Sequence, residues 1–256
     1  MVKVNPLISI IVATYNSGNV LKGCIESVIN QNYKEYELII IDGGSTDSTL
    51  QIIDDYKEFI THWVHEKDRG IYDAWNKGVK ISAGDWITFI GSDDTLYPTA
   101  LADYVSFINS GDLTDYQFVS SKMHLVTQQN KIIKTLGRPW SWEKSRLENG
   151  IAHPGSIHNK NIFEQFGLFD INYKICGDYE LLLRPGRKIK AAFMSKITVR
   201  MAQGGISGNG LKLFKEHYHA VTTTGELNKF YATFFFILQL CKYYTKSILR
   251  KSSIDI

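Results

Sequence analysis

Cysteine is scarce. Cys24, Cys176 and Cys241 are the three in 256 residues, odd in number, far apart and without a Cys-x-x-Cys pair. They make neither a disulfide framework nor a zinc site, and they fit a reducing compartment. No Asn-x-Ser/Thr sequon occurs, in keeping with a chain that never meets glycosylation machinery. Charge of one sign is also lacking, and a net +3 gives no argument for nucleic acid. The longest apolar stretch of the C-terminal tail, Phe230 to Cys241, is interrupted by Thr233 and Gln239 and falls well short of the ~20 residues a membrane span needs. Met1 to Pro6 lead into an apolar run at Leu7 without the basic region and cleavage site of a signal peptide. Neither Gly-x-Gly-x-x-Gly after the first apolar run nor Gly-x4-Gly-Lys-Ser/Thr is present, so dinucleotide hydride transfer and P-loop chemistry lose their main support.

What remains is an ordinary globular composition, with 44% apolar, 12% aromatic and 21% charged residues. A chain of this length buries roughly 70–75% of its unfolded surface, which excludes disorder and small stapled scaffolds. The first hundred residues alternate strand and helix signals. Leu7–Ala13, Glu37–Ile41, His62–His65 and Trp86–Ile90 read as strands. Between them fall helices over 19–30, after an Asp47 N-cap, and over 71–82. This rhythm predicts crossover units and a mainly parallel sheet covered on both faces. A helix follows Pro98, Phe118–Thr135 and Arg187–Met201 read as long strands, and the last 45 residues read as helix. No repeat or low-complexity block interrupts the chain.

In open parallel sheets, ligands bind beyond the carboxyl ends of the strands. The polar segments there are Thr14-Tyr15-Asn16-Ser17, Asp42-Gly43-Gly44-Ser45-Thr46-Asp47 and Gly91-Ser92-Asp93-Asp94. Adjacent carboxylates at a strand end repel unless a cation stands beside them, and hard oxygen ligands suit Mg²⁺ or Mn²⁺. Alone, Asp93-Asp94 suits a turn or helix cap equally well.

Ile8–Asn16, Glu26–Gln31, Ile41–Asp47, Asp68–Gly78 and Phe89–Asp94, in that order, resemble the family 2 glycosyltransferases over residues 7–110, with a thinner echo to about 206. The resemblance implies an α/β GT-A fold: a mainly parallel Rossmann-like sheet flanked by helices, a mixed acceptor-side second half and C-terminal helices. It implies a nucleotide-sugar-binding half over 1–110, an acceptor-binding and catalytic-base half of the same domain over 111–226, and a basic amphipathic helix over 227–256. Ala13 and Tyr15 then become candidate contacts to the base, and Asp42, Arg69 and Asn76 candidate contacts to the nucleotide. Asp94 would hold the metal, Mn²⁺ or Mg²⁺, and Asp93 would reach the sugar or ribose hydroxyls. Where the family more often has two acidic residues, this chain has Asp42-Gly43, which alters the expected base contact. Arg69 also suits a surface ion pair with Asp68 or Glu66.

Cys176-Gly177-Asp178-Tyr179-Glu180 resembles the family segment whose aspartate is the catalytic base. An acceptor hydroxyl attacking an anomeric carbon must lose its proton, and a positioned carboxylate can take it. Asp178 also suits a helix cap. His153 is similar in place to a histidine of the acceptor pocket, and Gly204-Gly205-Ile206-Ser207 resembles a glycine loop that closes over the donor. The implied activity is hexosyl transfer from a nucleotide-diphosphate sugar, a UDP-sugar foremost, to a saccharide or lipid-linked saccharide of a bacterial surface polysaccharide. A sugar nucleotidyltransferase and a silent saccharide-binding subunit are the rival readings.

The tail is basic. Residues 227–256 carry +4, leaving the preceding residues at −1. Phe230, Phe234, Ile237, Cys241, Tyr244 and Ile248 form one helical stripe, and Lys242, Lys246 and Arg250 another. An interfacial anchor on a cytoplasmic membrane face and a helix packed on the body or on another subunit both fit.

Overall fold

The computed structural model describes residues 5–111, 115–148, 150–204 and 210–252, with side chains to 245. Its first half is the alternating unit expected. β1 (Ile8–Thr14) lies between β2 (Tyr36–Asp42) and β4 (Trp86–Gly91), with β3 (His62–His65) outside β2, all parallel. β1, β2 and β4 are mostly apolar because both of their faces are covered, while β3, at the sheet edge, is mostly exposed. Ile8, Ile10, Val12, Leu38 and Ile40 face the layer that holds α1 (Leu21–Ile29); Ile11, Ile39, Ile41, Ile87 and Phe89 face the layer that holds α3 (Ile71–Ile81). Each of these side chains is almost wholly buried, worth roughly 1.5–3 kcal/mol apiece over exposure. Helix α3 lies tight on β1 because residue 78 is glycine, where a Cβ would stand 2.5 Å from Ile11 Cγ2.

The helix α2 (Thr49–Asp55) begins one residue later than expected: Ser48 is its N-cap. Asp47 nevertheless accepts the Thr49 N–H at 3.0 Å, doing from one residue upstream what a cap side chain does.

The second half extends the sheet. β5 (Thr95–Leu96) and α4 (Ala100–Ser110) precede β6 (Phe118–Val126) and β7 (Ile132–Leu136). Next come α5 (Trp142–Ser145), β8 (Ser156–Asn159), α6 (Asn161–Phe166), α7 (Gly177–Leu183), β9 (Ala191–Ala202), α8 (Gly210–Thr223) and α9 (Lys229–Ser252). The order is β3-β2-β1-β4-β8-β6-β9-β5, with β7 on β6. β8 runs antiparallel to both β4 and β6, so it is the hinge between the parallel half and a mixed half.

Three sequence expectations change here. Phe118–Thr135 is a hairpin and not one strand: Thr127 and Lys131 pair across a polar turn in which Asn130 takes φ 62°, a conformation Asn tolerates. The strand expected from Arg187 starts at Ala191, because Gly186–Lys188 form a short 3₁₀ turn. The C-terminal helix is broken in two at 224–228, where Glu226 has φ 50° and Asn228 Oδ1 accepts the Phe230 N–H of α9 at 2.9 Å. Among the described residues no helix is long and apolar enough to cross a membrane.

Candidate active site

The strand order reverses between β1 and β4, so the loops following β1, β2 and β4 share one edge. They are tied together by their own side chains. Asn16 N–H donates to Ser45 Oγ at 2.7 Å, Ser17 N–H to Thr49 Oγ1 at 2.8 Å, and Gly18 N–H to Asp47 at 3.0 Å. Thr46 N–H returns a bond to Asn16 Oδ1 at 2.9 Å, and Ser17 Oγ meets Ser92 Oγ at 2.8 Å. The three loops therefore hold one another in place along this edge. Tyr15 projects from it with 64% of its surface exposed, and Ala13 is half-buried behind it.

Asp42 is wholly buried, and its carboxylate accepts from Gly44 N–H, Ser45 N–H, Ser45 Oγ–H and His65 Nδ1. It shapes the loop and orients His65, whose side chain stays 39% exposed. A neighbouring carboxylate faces the same place. A Cβ on Gly43 would stand 2.5 Å from Asp68 Oδ2, so Asp68 fills the space where a longer residue 43 would put its own side chain. The sequence places these two residues far apart and gives no local signal of it.

Arg69 is exposed and pairs with Asp73 at 3.8 Å, not with Asp68 or Glu66. Asn76 has a task within the fold. It is buried, its Nδ2 donates to Phe169 O at 2.8 Å, and its Oδ1 accepts Phe169 N–H at 2.9 Å. That reciprocal pair fastens α3 to the segment after α6 and occupies both ends of the amide.

Asp93 and Asp94 divide sharply. Asp93 is exposed; Asp94 is buried and accepts Gly91 N–H at 3.0 Å and Ala202 N–H of β9 at 3.3 Å. Burial, and then the charge of Asp93, push Asp94 up to about 7. The same two carboxylates, after burial, raise the Cys24 thiol well above its usual range. Both crowd over Gly91, where a Cβ would stand 2.8 Å from Asp93 Oδ1 and 3.2 Å from Asp94 Oδ2. Two hard-oxygen donors converging on a glycine at a strand end fit a divalent cation completed by water and phosphate oxygens. Among the described residues no group of three or more His, Cys, Asp and Glu forms a closed metal cage.

Asp178 lies in the first turn of α7, after the N-cap Cys176, so it is not the cap. Tyr72 Oη–H donates to its Oδ1 at 2.9 Å, and His153 Nδ1 stands 3.9 Å from Oδ2. Burial raises the proton affinity of Asp178, and the Tyr72 bond works against that rise. Burial holds His153 down at about 3, so the ring is neutral beside the carboxylate. Its ring stacks on Trp75, at 5.1 Å, and on Phe89, at 5.8 Å, two rings that also touch each other at 4.9 Å, and so connects Asp178 to β4. Glu216 of α8 accepts the N–H groups of Lys174, Ile175 and Cys176 at 2.8–3.1 Å and shapes the approach to α7. Sequence reading missed Tyr72 and Glu216, because each acts across a long loop. His217 and His219 have different partners: His217 stacks on Tyr179 at 5.0 Å and His219 approaches Tyr173 at 5.7 Å. Of the glycine loop, Gly205-Ile206-Ser207 lie outside the described residues.

A family model described as glycosyl transferase family 2 matches residues 9–163. The chain is 29% identical over 185 residues to a PGL/p-HBAD biosynthesis glycosyltransferase of Mycobacterium bovis, covering 70% of this chain and 69% of that one. It is 26% identical over 204 residues to an uncharacterized glycosyltransferase of Rickettsia typhi, covering 77% of this chain and 64% of that one. Among solved structures it resembles S. aureus TarS 1-349 in complex with UDP, with TM-score 0.68, 19% identity, and coverage of 97% of this chain and 75% of that one. It also resembles the mannosyltransferase PcManGT from Pyrobaculum calidifontis in complex with GDP-Man and Mn²⁺, with TM-score 0.61, 15% identity, and coverage of 97% and 80%. At these identities the structural likeness speaks for the fold, which is the α/β arrangement of GT-A enzymes.

Proposed function

Because the chain belongs to glycosyl transferase family 2, we propose that this transferase moves a hexose from a nucleotide-diphosphate sugar to a saccharide hydroxyl with inversion. The acceptor oxygen attacks the anomeric carbon from the side opposite the leaving group. The bond from that carbon to the diphosphate oxygen breaks, and its electron pair leaves with the diphosphate. The acceptor proton goes to Asp178. The observation that carries this reading is Asp178 itself: a half-buried carboxylate with raised proton affinity, held by Tyr72 and flanked by a neutral His153 that does not compete for the proton.

On the donor side, Tyr15 offers an exposed ring for the base, and the Ala13 backbone lies beside it. Asp42 acts through His65, and Asp68 and Arg69 offer a carboxylate and a guanidinium at the same edge. Asp94, with Asp93, would hold Mn²⁺ or Mg²⁺, which when bound offsets the charge of the leaving diphosphate. Asp93 keeps an exposed carboxylate for sugar or ribose hydroxyls. The nucleotide sugar then belongs to residues 1–110 and the acceptor, with His153, to 111–226. Relatives solved with UDP, UDP-GlcNAc and GDP-Man support a nucleotide-sugar donor, foremost a UDP-sugar. The acceptor is a saccharide, free or lipid-linked, of a bacterial surface polysaccharide.

The test is nucleoside diphosphate release from a panel of UDP- and GDP-sugars with saccharide acceptors, for wild type and Asp178→Asn. Removal of the base is expected to lower turnover by roughly 10²–10⁴-fold with donor affinity and melting temperature unchanged. Wild-type turnover in the variant would remove Asp178 from the reaction.

A further inference from the structure

Helix α9 has two apolar faces, and the body covers one of them. On that side Ala232 is buried, the Phe236 ring lies 5.6 Å from Tyr218, the Tyr243 ring 5.7 Å from Phe214, and Gln239 Nε2 donates to Leu147 O at 3.4 Å. The opposite side is the stripe Phe230, Phe234, Ile237, Cys241 and Tyr244, and all five are exposed, Phe230 by 77% and Tyr244 by 50%. The sixth member of the stripe, Ile248, has its side chain outside the described residues. So the spacing that suggested a helix packed on the body describes the face the body leaves in water. A row of large apolar side chains of this size is rare on a soluble surface unless something covers it.

Charge selects what covers it. From Leu227 to Ile254 the sequence holds Lys229, Lys242, Lys246, Arg250 and Lys251 and no Asp or Glu. A second copy would bring the same positive charge against itself. An anionic bilayer supplies the opposite charge along the whole helix, and Phe and Tyr suit the depth at which an in-plane helix rests. The helix is too polar to cross instead. We propose that the outward stripe of α9 seats the protein in the plane of an anionic membrane surface. Helix α9 packs on α8, whose Glu216 holds the 174–176 backbone ahead of Asp178, so docking carries the acceptor side of the site to the lipid surface. Given the proposed transfer, on which this last step rests, the acceptor class is a lipid-linked saccharide. The docking stands without it.

The full chain is sedimented with vesicles of phosphatidylcholine alone and of phosphatidylcholine with phosphatidylglycerol, at low and high salt. Wild type is expected to bind the mixed vesicles at low salt and to lose about tenfold in affinity at high salt. The variant Phe234→Glu/Ile237→Glu, altered only at exposed positions, is expected to lose at least about tenfold with an unchanged melting temperature. No binding to mixed vesicles, equal binding to both vesicle types, or full binding by the variant overturns the proposal. A solution dimer that the variant dissolves, with vesicles ignored, overturns it in favour of a second copy. Nucleotide release with a soluble acceptor, measured on the same preparations, reports on the transfer reading separately.

Discussion

The Tyr72 hydroxyl donates to Asp178 Oδ1 at 2.9 Å, across 106 residues of sequence, and so joins helix α3 to the carboxylate in the first turn of α7. The bond lowers the proton affinity of Asp178 against the effect of burial. In Tyr72→Phe that brake is gone and Asp178 holds its proton to higher pH. The acid limb of the kcat/KM profile is expected to move to higher pH, with turnover at neutral pH down about tenfold and donor affinity unchanged. A loss of activity with the limb in place would make Tyr72 a packing residue only.

Asp94→Asn is expected to weaken donor binding in Mn²⁺ by about tenfold or more, while in chelator wild type and variant bind alike. Its carboxylate is buried and accepts two backbone N–H groups, so some structural cost accompanies the change. Asn keeps an acceptor and also removes the repulsion with Asp93, which limits the melting-temperature shift to about 4 °C in either direction. Titration calorimetry with and without metal checks this. Equal binding by the variant in Mn²⁺ refutes the metal assignment.

Asn76→Ala leaves the Phe169 N–H and C=O without their partners in a buried place. Urea denaturation is expected to show a loss of about 2–4 kcal/mol, with donor affinity per folded molecule unchanged. A loss of donor affinity at full stability would return Asn76 to the nucleotide site.

Burial lowers His153 to about 3, His217 to about 4, and His158 as well. Unfolded, each takes a proton near pH 6.5, so below that pH the unfolded state binds more protons. Their contribution to stability is complete above about 6.5 and lost as pH falls toward the folded values, at up to ~1.4 kcal/mol per pH unit each. Asp94 and Asp178, both raised, act in the opposite sense over part of that range, so the histidines prevail by number. Melting temperature is expected to be lower at pH 5 than at pH 7. His217→Phe keeps the stack on Tyr179, removes one titrating group whose Nε2 has no partner, and is expected to narrow that difference. An unchanged difference would mean that His217 takes up its proton as readily in the folded protein as in the unfolded one.

How much of this was legible depended on how local the signal was. The strands β1, β2 and β4 announced themselves because both faces are buried, and their terminal loops carry the polar residues. β5 has two residues, and β8 is Ser-Ile-His-Asn; pairing with neighbours makes them strands, and no run of apolar residues foretells it. Asn76 sits inside a recognisable motif, and its polar side chain suggested a ligand contact, yet the partner is a backbone 93 residues away. Glu216 lies in a helix with no motif at all, and what it holds is three N–H groups on another segment.

The nearness of Gly43 to Asp68 has a consequence for how such chains diversify. The pocket edge has room for one acidic group there, and either of two positions can donate it. An acid at 43 would meet the carboxylate at 68 and push it aside, while Asp68→Gly alone would leave the place without a carboxylate. The pair Gly43→Asp with Asp68→Gly is an exchange that conserves the edge while changing both letters. Column by column, such an exchange would read as one acid lost and another gained; in space, the same group would merely have changed its point of attachment.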